Sequence, residues 1–226
     1  IVFGGPPGSS SDTAGRSGAF AAAWARSGPV DWVLAARSRD AIDALERRWA
    51  PATGGRVFTL EPAGAVRLSW WRAMQSRYRE QHEGPRKAPP VAAVLGRLDP
   101  TVGRHQMARI LGEQEYDIVW CADVVAMALY GKVRRDLPVV LDVPAPMDGT
   151  TKKTASVPDP GGWHRFERHV AASAHLVTVP TLAAREVLGV PGSLAVDPAS
   201  PTDLAKLDHA VAEMCKWSNA FHGLAR

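Results

Sequence analysis

The sequence predicts an α/β domain built on a mostly parallel sheet with helices on both faces. Three observations carry that expectation. Short apolar runs alternate with stretches of helical periodicity along most of the 226 residues, the order that produces right-handed βαβ units. The runs after the first are nearly continuous in apolar residues, as strands covered on both sides must be. The first run passes directly into Gly4-Gly5-Pro6-Pro7-Gly8, which suits neither helix nor strand and sets a loop at the carboxyl end of the first strand.

Taken in order, residues 1–3 are the first strand. Asp12 or Thr13 caps a helix holding Phe20, Ala21 and Trp24 at helical spacing, and Ser27-Gly28-Pro29 stops it. Residues 30–36 read as the second strand, and 39–49 as a helix with Ile42, Leu45 and Trp49 on one face. Residues 57–60 are a short third strand. The pattern then loosens into an amphipathic helix at 68–80 and, beyond breaks at 83–85 and 88–90, a helix at 102–111.

Alternation resumes with strands at 117–121, 138–142 and 176–179 and helices at 124–132, 163–172 and 182–188. The segment 143–160, rich in Pro, Gly, Thr and Lys, reads as a long loop. Past breaks at 190–193 and 197–201, Thr202 caps a helix through Leu204, Leu207, Val211 and Met214, and 217–224 closes the chain. The expected division is a main domain over 1–190 and a tail over 191–226. The tail is too small for a core of its own and must pack onto the domain or a partner.

Composition narrows the function classes. No run of eighteen apolar residues occurs, so no transmembrane helix is expected. The chain opens on a strand-like run without a signal peptide or initiator Met, so its natural start is expected upstream. Cys121 and Cys215 fit neither a disulfide framework nor a metal knuckle, which favours a reducing cytoplasm. The net charge is +4, with arginines gathered between Arg67 and Arg109. Such a stretch suits phosphates, anionic lipid head groups, nucleic acid or simple solvation. Trp70, Trp71 and Arg72, with Arg77 and Tyr78, suit a peripheral membrane contact or a helix with a core face and a polar rim. Nucleic acid has the same ingredients available but no recognition motif beside them.

Catalytic motifs are mostly excluded. The first loop is not a G-x-G-x-x-G fingerprint, and no G-K-[ST] phosphate loop or G-x-S-x-G elbow occurs. His164 and His169 lie five apart, which is not one helix face, so no zinc site is expected. Glu167, beside Arg165 and Arg168, reads as a surface ion pair.

Several pieces in order nevertheless resemble one family. Gly5-Pro6-Pro7, then Thr13-Ala14-Gly15-Arg16, then Trp24-Ala25-Arg26-Ser27-Gly28 resemble the opening of retaining GT-B glycosyltransferases of the family 4 kind. Tyr116-Asp117-Ile118-Val119-Trp120 with Asp123, Leu137 through Asp142, and His164 through Val179 resemble later strands and helices of the same half. Gly192 through Pro198 with Asp203-Leu204-Ala205 resembles the far carboxyl end, and Trp217-Ser218 its closing helix, which crosses back onto the first domain. The second, donor-binding domain, roughly 150 residues, has no counterpart.

The resemblance implies a Rossmann-like acceptor half, transferring sugar from a nucleotide sugar to a hydroxyl acceptor, with retention and without a metal or other cofactor. A separate donor-binding domain or subunit would complete it. In that setting Asp142 and Asp148 are the candidate catalytic carboxylates, to orient a sugar hydroxyl or stabilise oxocarbenium charge, with a turn or cap as the alternative for each. Gly5, Gly15 and Arg16 are candidate substrate contacts, Arg16 through its forked donors. Asp123 would accept from an acceptor hydroxyl or cap a helix. A non-catalytic half and a nucleotide-binding protein stay open as the other classes.

Overall fold

A computed structural model of the chain describes residues 2–4, 11–34, 47, 50–59, 100–113, 115–130, 137–150 and 160–224. Among them the strands β1 (Val2–Gly4), β2 (Trp32–Leu34), β3 (Val57–Thr59), β4 (Val119–Cys121), β5 (Val139–Asp142), β6 (Leu176–Val179) and β7 (Leu194–Ala195) form one sheet. Its order is β3-β2-β1-β4-β5-β6-β7. Every pairing is parallel, as the sequence predicts. The order runs outward from β1 in both directions, so the turn in direction lies between β1 and β4. In open parallel sheets that is where the loops diverge and leave a crevice.

Among the described residues the helices are α1 (Ser11–Trp24), α2 (Ala50–Thr53), α3 (Pro100–Gly112), α4 (Val124–Tyr130), α5 (Pro160–Ala171), α6 (Leu182–Leu188) and α7 (Pro201–Leu224). They cover both faces, and the strand side chains sort accordingly. Val119, Cys121, Val139, Leu141, Val177 and Val179 point into one core, shared with Met107, Met127, Trp163 and Leu188 of α3 to α6. The intervening Trp120 and Val140 point the other way, into a second core with Phe20 of α1 and Leu207 of α7. The period of two along each strand therefore feeds two apolar layers, which explains the continuous apolar runs.

Local chemistry sets the element ends. Thr181 caps α6 by accepting the Ala184 N–H at 3.1 Å, and Gly189 closes it in the left-handed region at φ 62°. Gly55 is required by close approach: a Cβ there would sit 2.0 Å from the Val30 carbonyl oxygen. That crowding follows from the bonds Val30 N–H to Thr53 O and Trp32 N–H to Arg56 O, which draw the two segments together.

Several expectations are corrected. Helix α1 begins at Ser11, before either residue expected to cap it. Helix α5 begins at Pro160, where proline at the first helical position loses nothing. Ser200, not Thr202, caps α7: its hydroxyl accepts the Asp203 N–H at 3.3 Å. Helix α7 then runs unbroken to Leu224. Strand β7 stands between the two expected breaks, where no element was expected, and it joins the tail to the sheet through Thr178 opposite Leu194. The helix expected at 39–49, apart from position 47, and the one at 68–80 lie outside the described residues, as do Gly5, Trp70, Trp71 and Arg72.

Candidate functional site

The carboxyl edge of the sheet gathers most of the candidate residues that are described. Asp142 is the last residue of β5, and Asp123 follows β4, the neighbouring strand. Asp148 stands in the loop leaving β5. Arg16 lies in α1, one residue beyond Gly15, and reaches Asp142 from the helix.

Arg16 and Asp142 form a buried ion pair. The guanidinium Nε donates to both carboxylate oxygens, at 3.1 and 2.8 Å, and Nη2 donates to Oδ1 at 3.0 Å. The Thr178 hydroxyl adds a bond to Oδ1 at 2.7 Å, and Arg16 Nη1 donates to the Val196 carbonyl at 2.5 Å. The Phe20 ring lies 4.8 Å from the guanidinium carbon. Four elements are thereby joined at one point: α1, β5, β6 and the residue after β7. Asp142 is 0% exposed and Arg16 9%. Burial pushes the Asp142 carboxyl above its ordinary value, and the Arg16 charge with the Arg16 and Thr178 hydrogen bonds opposes the rise. The hydrogen bonds of the pair run to each other, to Thr178 and to the Val196 carbonyl, and they hold this edge together.

Asp123 is also turned inward. Its Oδ1 accepts the Ala126 N–H at 2.7 Å at the start of α4, the geometry of a helix cap. Beside it, burial and the Asp123 charge push the Cys121 thiol up, so it is no nucleophile in this setting.

Asp148 is different: it is exposed. Its Oδ1 accepts the Thr150 N–H and the Thr150 hydroxyl, both at 2.8 Å, in an Asx turn. Those two bonds hold its carboxyl below the usual carboxylate range. An ionised carboxylate suits the orientation of a hydroxyl or the stabilisation of developing positive charge, and does not suit a general acid.

The loop bearing Asp148 is fastened from below by residues whose role the sequence reading missed. Glu167 is 3% exposed, not a surface ion-pair partner, and its Oε2 accepts the Met147 N–H at 2.6 Å. The His164 Nδ1 lies 2.8 Å from the Met147 carbonyl, so it carries the proton of that bond. A Cβ on Gly149 would sit 3.0 Å from the His164 ring. A signal for Glu167 was present: it falls in register with Trp163 and Val170, the buried stripe of α5.

At the opposite, amino edge a second polar group went unread. Asp31 accepts from the Arg56 N–H at 2.7 Å, the Arg56 Nη2 at 3.0 Å and the Tyr116 hydroxyl at 2.7 Å. Among the described residues no group of three or more His, Cys, Asp or Glu side chains could hold a metal ion. Nor is any described helix long and apolar enough to cross a membrane. Comparison with known proteins yields no match to a family model, to a curated protein or to a solved structure.

Proposed function

We propose that the chain is the Rossmann-like, acceptor-side half of a GT-B sugar-nucleotide glycosyltransferase, transferring a glycosyl unit to a hydroxyl acceptor at the carboxyl edge of the sheet. The observation that carries this reading is the return of α7 onto the domain. Asp208 of α7 accepts from Trp24 Nε1 of α1 at 3.1 Å, and Leu207 is buried beside Phe20. That is how the closing helix of the resembled family is expected to behave. A braced, ionised Asp148 at the same edge supports it further. Catalysis of this kind rests on positioning and on charge stabilisation in a closed cleft, not on a protein nucleophile. Nucleotide sugar and acceptor are the partners, and a donor-binding domain or subunit completes the cleft. Arg16 and Asp142 act as positioning residues for that edge, and Gly15 precedes Arg16 in α1.

The test is a titration of the chain with a panel of nucleotide sugars, alone and mixed with a donor-binding half of a related enzyme, read as sugar transfer or donor hydrolysis. Activity restored on mixing and lost in Asp148→Asn supports the reading. Absence of activity in every mixture, with no thermal shift by any nucleotide sugar, overturns it.

A second reading rests on the strand order. The run β3-β2-β1-β4-β5-β6 is also that of dinucleotide-binding sheets. On that reading NADP or ATP raises the melting temperature and nucleotide sugars do not.

A further inference from the structure

A cavity of about 490 Å³ opens at the amino edge of the sheet, the end opposite Asp142 and Asp148. Its walls come from the turn after α1, the residues leading into β4, and the middle of α7. The size falls in the range of small-molecule sites, roughly 300–1,000 Å³. Trp24, Pro29, Val30, Ile118 and Val211 supply apolar and aromatic walls.

Four carboxylates also line it. Asp31 lines the cavity, but Arg56 balances its charge at 3.0 Å. Glu115, Asp117 and Asp208 are exposed at the same cavity and have no cationic partner among the described residues. Asp208 is oriented by the Trp24 indole N–H at 3.1 Å. The field of Asp117 reaches across to α7, where burial and that charge together push the Cys215 thiol up. Three carboxylates without a cationic partner among the described residues thus line one hollow in a chain whose net charge is +4.

We propose that this cavity binds a small organic cation with an apolar or aromatic body, of the amidinium or guanidinium class. The body packs on Trp24, Pro29 and Val211, and the planar cation donates to Glu115, Asp117 or Asp208. An aromatic wall beside carboxylates favours such a cation over an anion or a neutral ligand. The carboxylates are not gathered into a metal-binding group: among the described residues no three or more His, Cys, Asp or Glu side chains could hold a metal ion. The site is independent of the glycosyl-transfer reading, since it lies at the other end of the strands.

The test is calorimetric titration of the full chain at low salt with benzamidinium, and with benzamide as its neutral isostere. Benzamidinium binds with a dissociation constant below about 1 mM, and benzamide does not. The double variant E115Q/D117N removes charge at exposed positions without changing shape, and it weakens benzamidinium about tenfold or more. Ala212→Trp fills the cavity from its exposed wall and abolishes binding, while the circular dichroism spectrum and melting temperature stay those of the parent. The proposal is overturned if the unaltered chain shows no binding up to about 10 mM. It is equally overturned if benzamide binds as tightly as benzamidinium, or if E115Q/D117N binds benzamidinium undiminished.

Discussion

Arg16 and Asp142 are 126 positions apart, and each offsets part of the other's cost of burial. Two charges withdrawn from water are tolerated when geometry is bidentate and the remaining lone pairs are satisfied, as Thr178 and the Val196 carbonyl arrange here. Asp142→Asn keeps the shape but leaves a guanidinium buried without a counter-charge. We expect a loss of about 3–5 kcal/mol in urea unfolding. In a cycle of Arg16→Met, Asp142→Leu and the two together, the double variant should recover most of the loss that each single one shows, giving a large coupling. An Asp142→Asn protein within about 0.5 kcal/mol of the parent would mean that the pair is not closed in solution.

Asp31 makes the complementary pH prediction. Burial works to raise its pKa, but the Arg56 N–H, the Tyr116 hydroxyl and the Arg56 guanidinium outweigh it and hold the carboxyl below 3.8. A depressed folded value means stability that is present above the unfolded pKa and lost as pH falls through the folded one. Denaturant midpoints should therefore fall below about pH 4, and in Asp31→Asn that part of the acid limb should be missing. The same network pushes the Tyr116 phenol up, chiefly by burial, so Tyr116 stays a donor to Asp31 across the whole window.

At the scale of elements, α5 is the brace of the loop after β5. Glu167→Gln keeps a carbonyl oxygen to accept the Met147 N–H, whereas Glu167→Ala leaves that N–H without it. Hydrogen exchange at 143–150 should quicken tenfold or more in Glu167→Ala, a loss of about 1–3 kcal/mol of local protection. The change in Glu167→Gln should be much smaller. Equal exchange in both variants would refute the brace. Elements also show what was legible. β4, β5 and β6 were readable because each is an apolar run facing two cores. Glu167 was not, because a charged residue between two arginines reads as solvated, although its helical register with Trp163 and Val170 pointed inward. Strand β7 is two residues long, between Gly192 and Pro198, and only its pairing with β6 makes it a strand. The edge position of Asp142 could be read from the end of an apolar run, but its burial could not, because the partner that permits burial sits on α1.

For the whole molecule, the question is whether the tail is a satellite or part of the cooperative unit. The tail beyond residue 190 is joined to the rest by three different kinds of contact. β7 extends the sheet, Arg16 donates to Val196, and Leu207 lies at 0% exposure in the core that holds Phe20, Trp120 and Val140. Each contact ties residues beyond 190 to residues before it, so stability gained in the tail is stability of the sheet. Leu207→Ala should cost about 2–5 kcal/mol, the range for emptying a well-packed leucine site. In that variant circular dichroism and tryptophan fluorescence should still trace one coincident unfolding transition, shifted to lower urea. A satellite tail would behave otherwise: Leu207→Ala would detach α7 in an early, separate step and leave the main transition where it was. The wall that α7 lends to the cavity at the amino edge makes the distinction functional as well. If the tail unfolds only with the sheet, the cavity exists wherever the folded protein does, and anything bound there stabilises both edges of the sheet at once.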